Sequence, residues 1–234
     1  MTWWKPRDGA RSFAVTATLL LSAACSGTAA ERPAGTSTPT ASAAASGATT
    51  LEGHIVGDAD HPGYTVEVPD GWSTEDGGFI VKEGPDALGL SVWDVGEVPR
   101  HPCRWQGTET EPGPTVDDLA EVLMSQRLRD ATAPSEVTLA GHEGLYFEWS
   151  VPDDWIVTGD SAFQGCDDAG DFVSWWGKDA GQRYQQVAGQ VDRLWILDVE
   201  GQTLLVDATN SLDTSAADRE ELKHVVASLR FIEE

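Results

Sequence analysis

Apolar and polar positions alternate along this chain in two rhythms, and the clearest stretch lies near the carboxyl end. Leu194-Trp195-Ile196-Leu197-Asp198-Val199 is apolar on both faces, which predicts a central strand covered on both sides. Glu200-Gly201-Gln202 predicts a turn, and Thr203 to Ala208 returns as a second strand. Leu204, Val206 and Ala208 share one face of that strand. Leu205, Asp207 and Thr209 share the other, which reads as partly wet. Leu222, Val225, Val226 and Leu229 then follow helical spacing over Ser215 to Leu229, with Ser215 or Thr214 as cap and Asp218 at the capping-box position.

The rest of the chain reads in the same way. Tyr64 to Pro69 alternates as a strand, and Pro69-Asp70-Gly71-Trp72 turns it. Gly78 to Lys82 and Gly89 to Val95 predict two more strands. Pro99 to Pro114 holds four prolines and predicts a long loop. Thr115 caps a helix whose buried side is Val116, Leu119, Ala120 and Leu123. Ser135 to Leu139 is a short strand, Gly141 to Gly144 a turn, and Leu145 to Val151 an aromatic strand. Pro152 to Gly170 is polar and irregular. Asp171 to Gly177 predicts a strand, and Arg183 to Ala188 leads into the central hairpin. Strands, a helix, several strands and a helix make an α+β fold, with helices laid on an antiparallel sheet.

Charge narrows the partners. The 234 residues carry 15 Lys+Arg against 39 Asp+Glu, a net charge of -24. That surface repels phosphates, which excludes nucleic acid as a partner, and it keeps the folded domain off anionic head groups.

The amino terminus sets the location. Lys5, Arg7 and Arg11 precede the short apolar run Phe13 to Leu21, too short for a permanent span, and small residues follow. Leu21-Ser22-Ala23-Ala24-Cys25 resembles a bacterial lipobox, with Ser22 standing where leucine is usual. The resemblance implies that residues 1–24 are a lipoprotein signal peptide and that Cys25 carries a diacylglycerol, whose two acyl chains hold stably where one would not. Residues 25–50 are the lipidated cysteine and an Ala/Ser/Thr/Pro linker that cannot bury a core and reads as disordered, with an end-to-end distance of roughly 25–30 Å. Residues 51–234 are the folded domain. It is expected on the outer face of the cytoplasmic membrane, with the membrane as a partner through the anchor.

Tyr64 to Trp72 resembles the opening strand of the PsbP-like family. Leu194 to Ile232, with its Ser228-Leu229-Arg230-Phe231 ending, resembles that family's closing hairpin and helix. The order of lipobox, linker and domain is similar to actinobacterial LpqN-type lipoproteins. The resemblance implies an α/β/α sandwich, an antiparallel sheet flanked by helices, and a role in binding or assembly rather than one chemistry.

Candidate chemistry is sparse. Cys103 and Cys166 remain once Cys25 is assigned, and in an exported domain they read as a disulfide; the other reading is a free or metal-binding pair. Asp167, Asp168 and Asp171 lack the pattern of an EF-hand loop and read as an acidic surface loop. His54 and His61, with Asp58 and Asp60, read as surface residues rather than a metal site. No metal and no cofactor is expected. Among ten tryptophans, Trp93 and Trp149 read as core, while Trp105, Trp155, Trp175 and Trp176 lie in or beside loops. Those four are the candidate ligand contacts, for an envelope protein or a glycan; the other reading makes them a satellite core. No nucleophile elbow, zincin motif or phosphate loop is present, so the chain reads as a binding or assembly module. The alternatives are a cell-envelope hydrolase pairing Glu148 with Asp167 or Asp171, and an accessory subunit with no ligand.

Overall fold

The computed structural model describes residues 47–75, 77–84, 87–158, 162–167 and 170–233. The predicted signal peptide, Cys25, most of the predicted linker and Asp168 therefore lie outside the described residues. In chain order the elements are β1 (Thr49–Gly53), β2 (Ile55–Val56), β3 (Tyr64–Val68), β4 (Trp72–Glu75), β5 (Phe79–Lys82), β6 (Leu88–Trp93), β7 (Val95–Pro99) and β8 (Glu109–Thr110). Then come α1 (Val116–Met124), β9 (Asp130–Ala131), β10 (Ser135–Leu139), β11 (His142–Ser150), β12 (Val157–Thr158) and β13 (Ala162–Phe163). The chain closes with β14 (Val173–Gly177), β15 (Gln182–Tyr184), β16 (Val191–Val199), β17 (Gln202–Asn210), α2 (Ala216–Ala227) and β18 (Arg230–Phe231).

The main sheet runs β10-β11-β16-β17-β6-β5-β4, and every neighbouring pair on that path is antiparallel. β2 adds in parallel beside β6. The hairpin β16–β17 is its centre. Val199 pairs with Gln202, so the loop is only Glu200 and Gly201, both at positive φ. That geometry matches the right-handed twist of the flanking strands. Ala140 and Gly141 make the same kind of turn between β10 and β11, so the predicted turn over Gly141 to Gly144 sits two residues late.

Alternation on the central strands divides the core in two. Leu197, Leu204, Val206 and Ala208 join Leu222, Val225 and Val226 of α2 and Tyr64, Val66 and Val68 of β3. Leu194, Ile196 and Leu205 join Leu119, Ala120 and Leu123 of α1 with Phe147, Trp149 and Trp175. Each face is thus covered by a helix together with a small sheet. α1 is 9 residues long, too short to roof a sheet of this width alone. Both helices begin as their sequences predict. Thr115 accepts from the Asp118 amide in a full capping box; at α2 Ser215 accepts from the Asp218 amide, and its hydroxyl donates to Asp218 Oδ2 at 2.6 Å.

Three readings of the pattern change. Trp72 opens β4 rather than closing a turn, because its apolar ring is buried over α2 while its Nε1 donates to Glu221 Oε1 at 2.7 Å. The strand read over Gly89 to Val95 splits at Asp94 into β6 and β7, where the Asp94 amide donates to Val56 O at 2.9 Å. The face of β17 read as partly wet is closed: Asp207 is 1% exposed, covered by Arg183 of β15.

Candidate functional site

The four candidate tryptophans take three different places. β14 alternates, so Trp175 points inward and Trp176 outward. Trp175 is fully buried, with ring centroids 5.7 Å from Trp93 and 6.0 Å from Trp149. It belongs to the core and leaves the group of candidate contacts. Trp155 is half-buried against Phe163 and Phe172, over a small cluster that includes Val151 and Cys166. Trp105 meets Trp176 edge-to-face at 5.4 Å. Only Trp176 of the four lines a wide concave surface.

That surface is a cleft of about 1160 Å³ between two hairpins. One wall is the outer face of β14–β15, carrying Trp176, Gln182 and Tyr184. The opposite side comes from β2 with the turn after it and from the β4–β5 hairpin, with His54, Asp58, Glu75 and Phe79. Backbone bonds hold these walls together. Lys178 N donates to Asp94 O at 2.9 Å, and Asp179 N to Gly57 O at 3.2 Å. Such close approach requires glycine at position 57. Its φ is +92°, and a Cβ there would stand 2.5 Å from Asp94 O and 2.7 Å from Lys178 N.

Carboxylates dominate the charge around the cleft. Gln202 Nε2 donates to Asp58 Oδ2 at 2.8 Å and to Asp94 Oδ2 at 3.2 Å. The Gln202 amide holds the Asp58 carboxyl below its ordinary value, helped by the amides of Asp60 and His61. Burial pushes Asp94 up, and the charges of Asp58 and Asp179 add to that, while Lys178 opposes it from 3.7 Å. Burial also raises the Tyr184 phenol, with Asp171 acting in the same direction.

The wall carrying Trp176 stands on a buried polar network that periodicity did not reveal. Arg183, between Gln182 and Tyr184 on β15, turns inward. Its Nε donates to Asp207 Oδ2 at 2.6 Å and its NH2 to Asp192 Oδ1 at 3.1 Å. Gln185 Nε2 donates to Asp192 Oδ2 at 2.7 Å and to Ser174 Oγ at 2.8 Å. Gln190 Nε2 reaches Asp192 Oδ1 at 2.9 Å. Arg129 lies between the Trp149 and Phe172 rings, 4.7 and 4.6 Å from their centroids, and donates to Ser174 Oγ at 2.7 Å. The sequence carried one sign of this. Asp192 and Asp207 sit inside apolar strands, where a charge needs a partner, and Arg183 precedes them.

Cys103 and Cys166 form a disulfide with Cα atoms 4.4 Å apart across a separation of 63 residues. It ties the loop after β7 to the loop after β13, and Asp167 N donates to Cys103 O at 2.9 Å beside it. No group of three or more His, Cys, Asp or Glu placed to hold a metal occurs among the described residues. His54 and His61 are separated in role: His54 lines the cleft, while His61 Nδ1 accepts from Gly63 N at 3.0 Å. Glu148 accepts from the Tyr146 hydroxyl at 2.5 Å and meets Arg193 Nε at 3.5 Å, so that carboxylate is engaged on its own strand pair.

No protein-family model matches the chain, and no curated protein matches it. Among solved structures it is similar to LpqN, involved in cell envelope biogenesis of Mycobacterium tuberculosis, at 14% identity and TM-score 0.39, over 80% of this chain and 92% of that chain. It is similar to PsbP (CyanoP) from Synechocystis sp. PCC 6803 at 14% identity and TM-score 0.34, over 78% of this chain and 92% of that one. A structure from Bacteroides thetaiotaomicron VPI-5482 is similar at 11% identity and TM-score 0.33, over 73% of this chain and 46% of that longer one.

Proposed function

We propose that the protein is an extracytoplasmic binding module, tethered by a lipid on Cys25 and a linker to about residue 50, with residues 51–234 forming a PsbP-like α/β/α sandwich. The Cys103–Cys166 disulfide supports an oxidising compartment. The basic, apolar and small-residue run ending at Cys25 supports export with an acyl anchor. No helix among the described residues is long and apolar enough to cross a membrane. One helix and one small sheet on each face of the central sheet support the sandwich reading.

The observation that carries the binding role is the cleft, whose wall presents Trp176 and Tyr184 on a hairpin braced from beneath by Arg183 and Gln185. Aromatic rings fixed on a rigid element contribute contact area with little entropy left to lose. Trp105 and Trp155 stand outside its lining, Trp105 as a brace behind Trp176. The ligand is an envelope component, protein or glycan, and the protein acts by holding it rather than by bond chemistry.

The test compares the membrane-extracted full chain with Trp176→Ala and Trp155→Ala. Intact mass of the native material should show an acylated Cys25. Captured envelope components should fall for Trp176→Ala and persist for Trp155→Ala. An unmodified Cys25 removes the anchor from this reading, and equal capture by both variants removes the cleft.

A further inference from the structure

We infer that the cleft takes a basic segment of a partner polypeptide, with lysine or arginine side chains laid against Trp176 and Tyr184 and their charges near Asp58 and Asp179. The inference rests on the binding role proposed above and names its ligand class.

Three features of the cleft point there together. Its lining pairs aromatic rings with carboxylates, and neither lysine nor arginine is among the lining residues. Rings attract a cation through their negative faces, and carboxylates attract it by charge, so the two kinds of side chain select the same head group. Glycans bearing phosphate or carboxylate meet repulsion from Asp58 and Asp179.

Size is the second feature. The cleft, at about 1160 Å³, exceeds the roughly 300–1,000 Å³ typical of small-molecule pockets. A run of several residues fits such a space better than one small amine. Its walls are hairpins whose outer faces lie in rows, which suits side chains spaced along an extended chain.

The third feature is the crowding of carboxylates around Asp94. Asp58 and Asp179 both push the nearby Asp94 carboxyl upward after burial has done so. Lys178, the cation beside Asp94, is 67% exposed, so water screens much of its charge. Asp58 has both oxygens occupied by Gln202 and by local amides, so it contributes field rather than a free acceptor. The net charge of -24 extends that field and speeds encounter with a basic partner.

The experiment titrates the full chain in detergent with hexa-arginine, hexa-lysine, hexa-glutamate and a neutral hexasaccharide, followed by calorimetry and tryptophan fluorescence at low and high salt. The basic peptides should bind, more weakly at high salt, and the other two should not. Trp176→Ala should weaken hexa-arginine by about 10-fold. Asp179→Asn, on an exposed turn, should weaken it by about 3-fold or more and flatten the salt dependence. Asp153→Asn with Asp154→Asn, exposed residues outside the cleft lining, should change little, which separates the cleft from general surface charge. Each variant is checked for an unchanged melting profile; Asp179→Asn carries the test where Trp176→Ala does not fold. Binding of the hexasaccharide in place of the basic peptides overturns the inference. Peptide binding that is indifferent to both cleft variants overturns it too. If the peptides fail while Trp176→Ala still lowers envelope capture, the ligand class falls and the binding role stands. If capture is indifferent as well, both fall.

Discussion

Arg183 donates from Nε to Asp207 Oδ2 at 2.6 Å with both side chains almost wholly out of solvent, at 2% and 1% exposure. The same guanidinium serves Asp192, which is 0% exposed, so one cation stands directly between two buried carboxylates. Asp207 Oδ1 takes no hydrogen bond among the described residues. The pair fastens β15, and with it the wall of the cleft, to the central strands.

Asp207 makes folding depend on pH. Burial, opposed by Arg183 and reinforced by Asp192, pushes its carboxyl from 3.8 up to about 7. The folded chain therefore holds a proton that the unfolded chain releases between those values, and raising the pH through that window destabilises the fold. Chemical denaturation should show a loss of roughly 2–3 kcal/mol between pH 5 and pH 8. Asp207→Asn should flatten that slope; an unchanged slope would assign it to another group.

Removing the shared cation should cost more than removing either anion. Arg183→Met leaves Asp192 and Asp207 buried without their common partner, and a loss of about 3–5 kcal/mol is expected in urea denaturation. Restoring wild-type stability by Arg183→Met with Asp192→Leu and Asp207→Leu would place the worth of the triad in specificity rather than stability.

Adjacent tryptophans should respond oppositely. Trp175→Ala opens a cavity between Trp93 and Trp149 and should cost about 3–5 kcal/mol. Trp176→Ala loses mainly its edge-to-face contact with Trp105 and should cost about 1 kcal/mol. Thermal melts of the two variants, measured side by side, check the inward and outward assignment.

Replacing Cys103 and Cys166 by serine frees a closure across 63 residues and should lower stability by roughly 2–4 kcal/mol. Trp155, Phe163 and Phe172 pack beside Cys166, so protease cleavage within 152–167 should accelerate before the main sheet is cut. Uniform cleavage along the chain would mean that this small cluster does not open by itself.

Gly57→Ala tests the seat of the cleft. Its φ of +92° and the 2.5 Å approach to Asp94 O leave no room for a methyl, and a loss of about 2 kcal/mol or more is expected. A melt equal to wild type would show that β2 does not sit against Lys178 as described.

Much of the scaffold was legible because its signals are local. A run apolar on both faces marks β16, alternation marks β17, Gly201 marks their turn, and Thr115 with Asp118 marks the start of α1. Cys103 and Cys166 were paired by compartment and number, and their bond is present. The cleft was not legible in that way. Its sides come from residues 54–59, 74–79 and 176–184, and no local pattern joins three such segments. Trp175 and Trp176 fall on the strand predicted over Asp171 to Gly177, so they face opposite ways, but two adjacent aromatics carry no sign of which faces inward. That is decided by β7 pairing with β14 at Trp176 and Glu97.

The sequence by itself determined the antiparallel elements, the helix caps and the excess of negative charge. Tertiary structure alone decided that Asp207 is dry, that Arg183 serves two carboxylates and that Trp176 lines a concave surface while Trp175 does not. Local patterns report how a residue sits on its own strand. Burial and charge pairing depend on which distant segment covers that strand, and the covering hairpin reaches the sheet only after the chain has folded back over it.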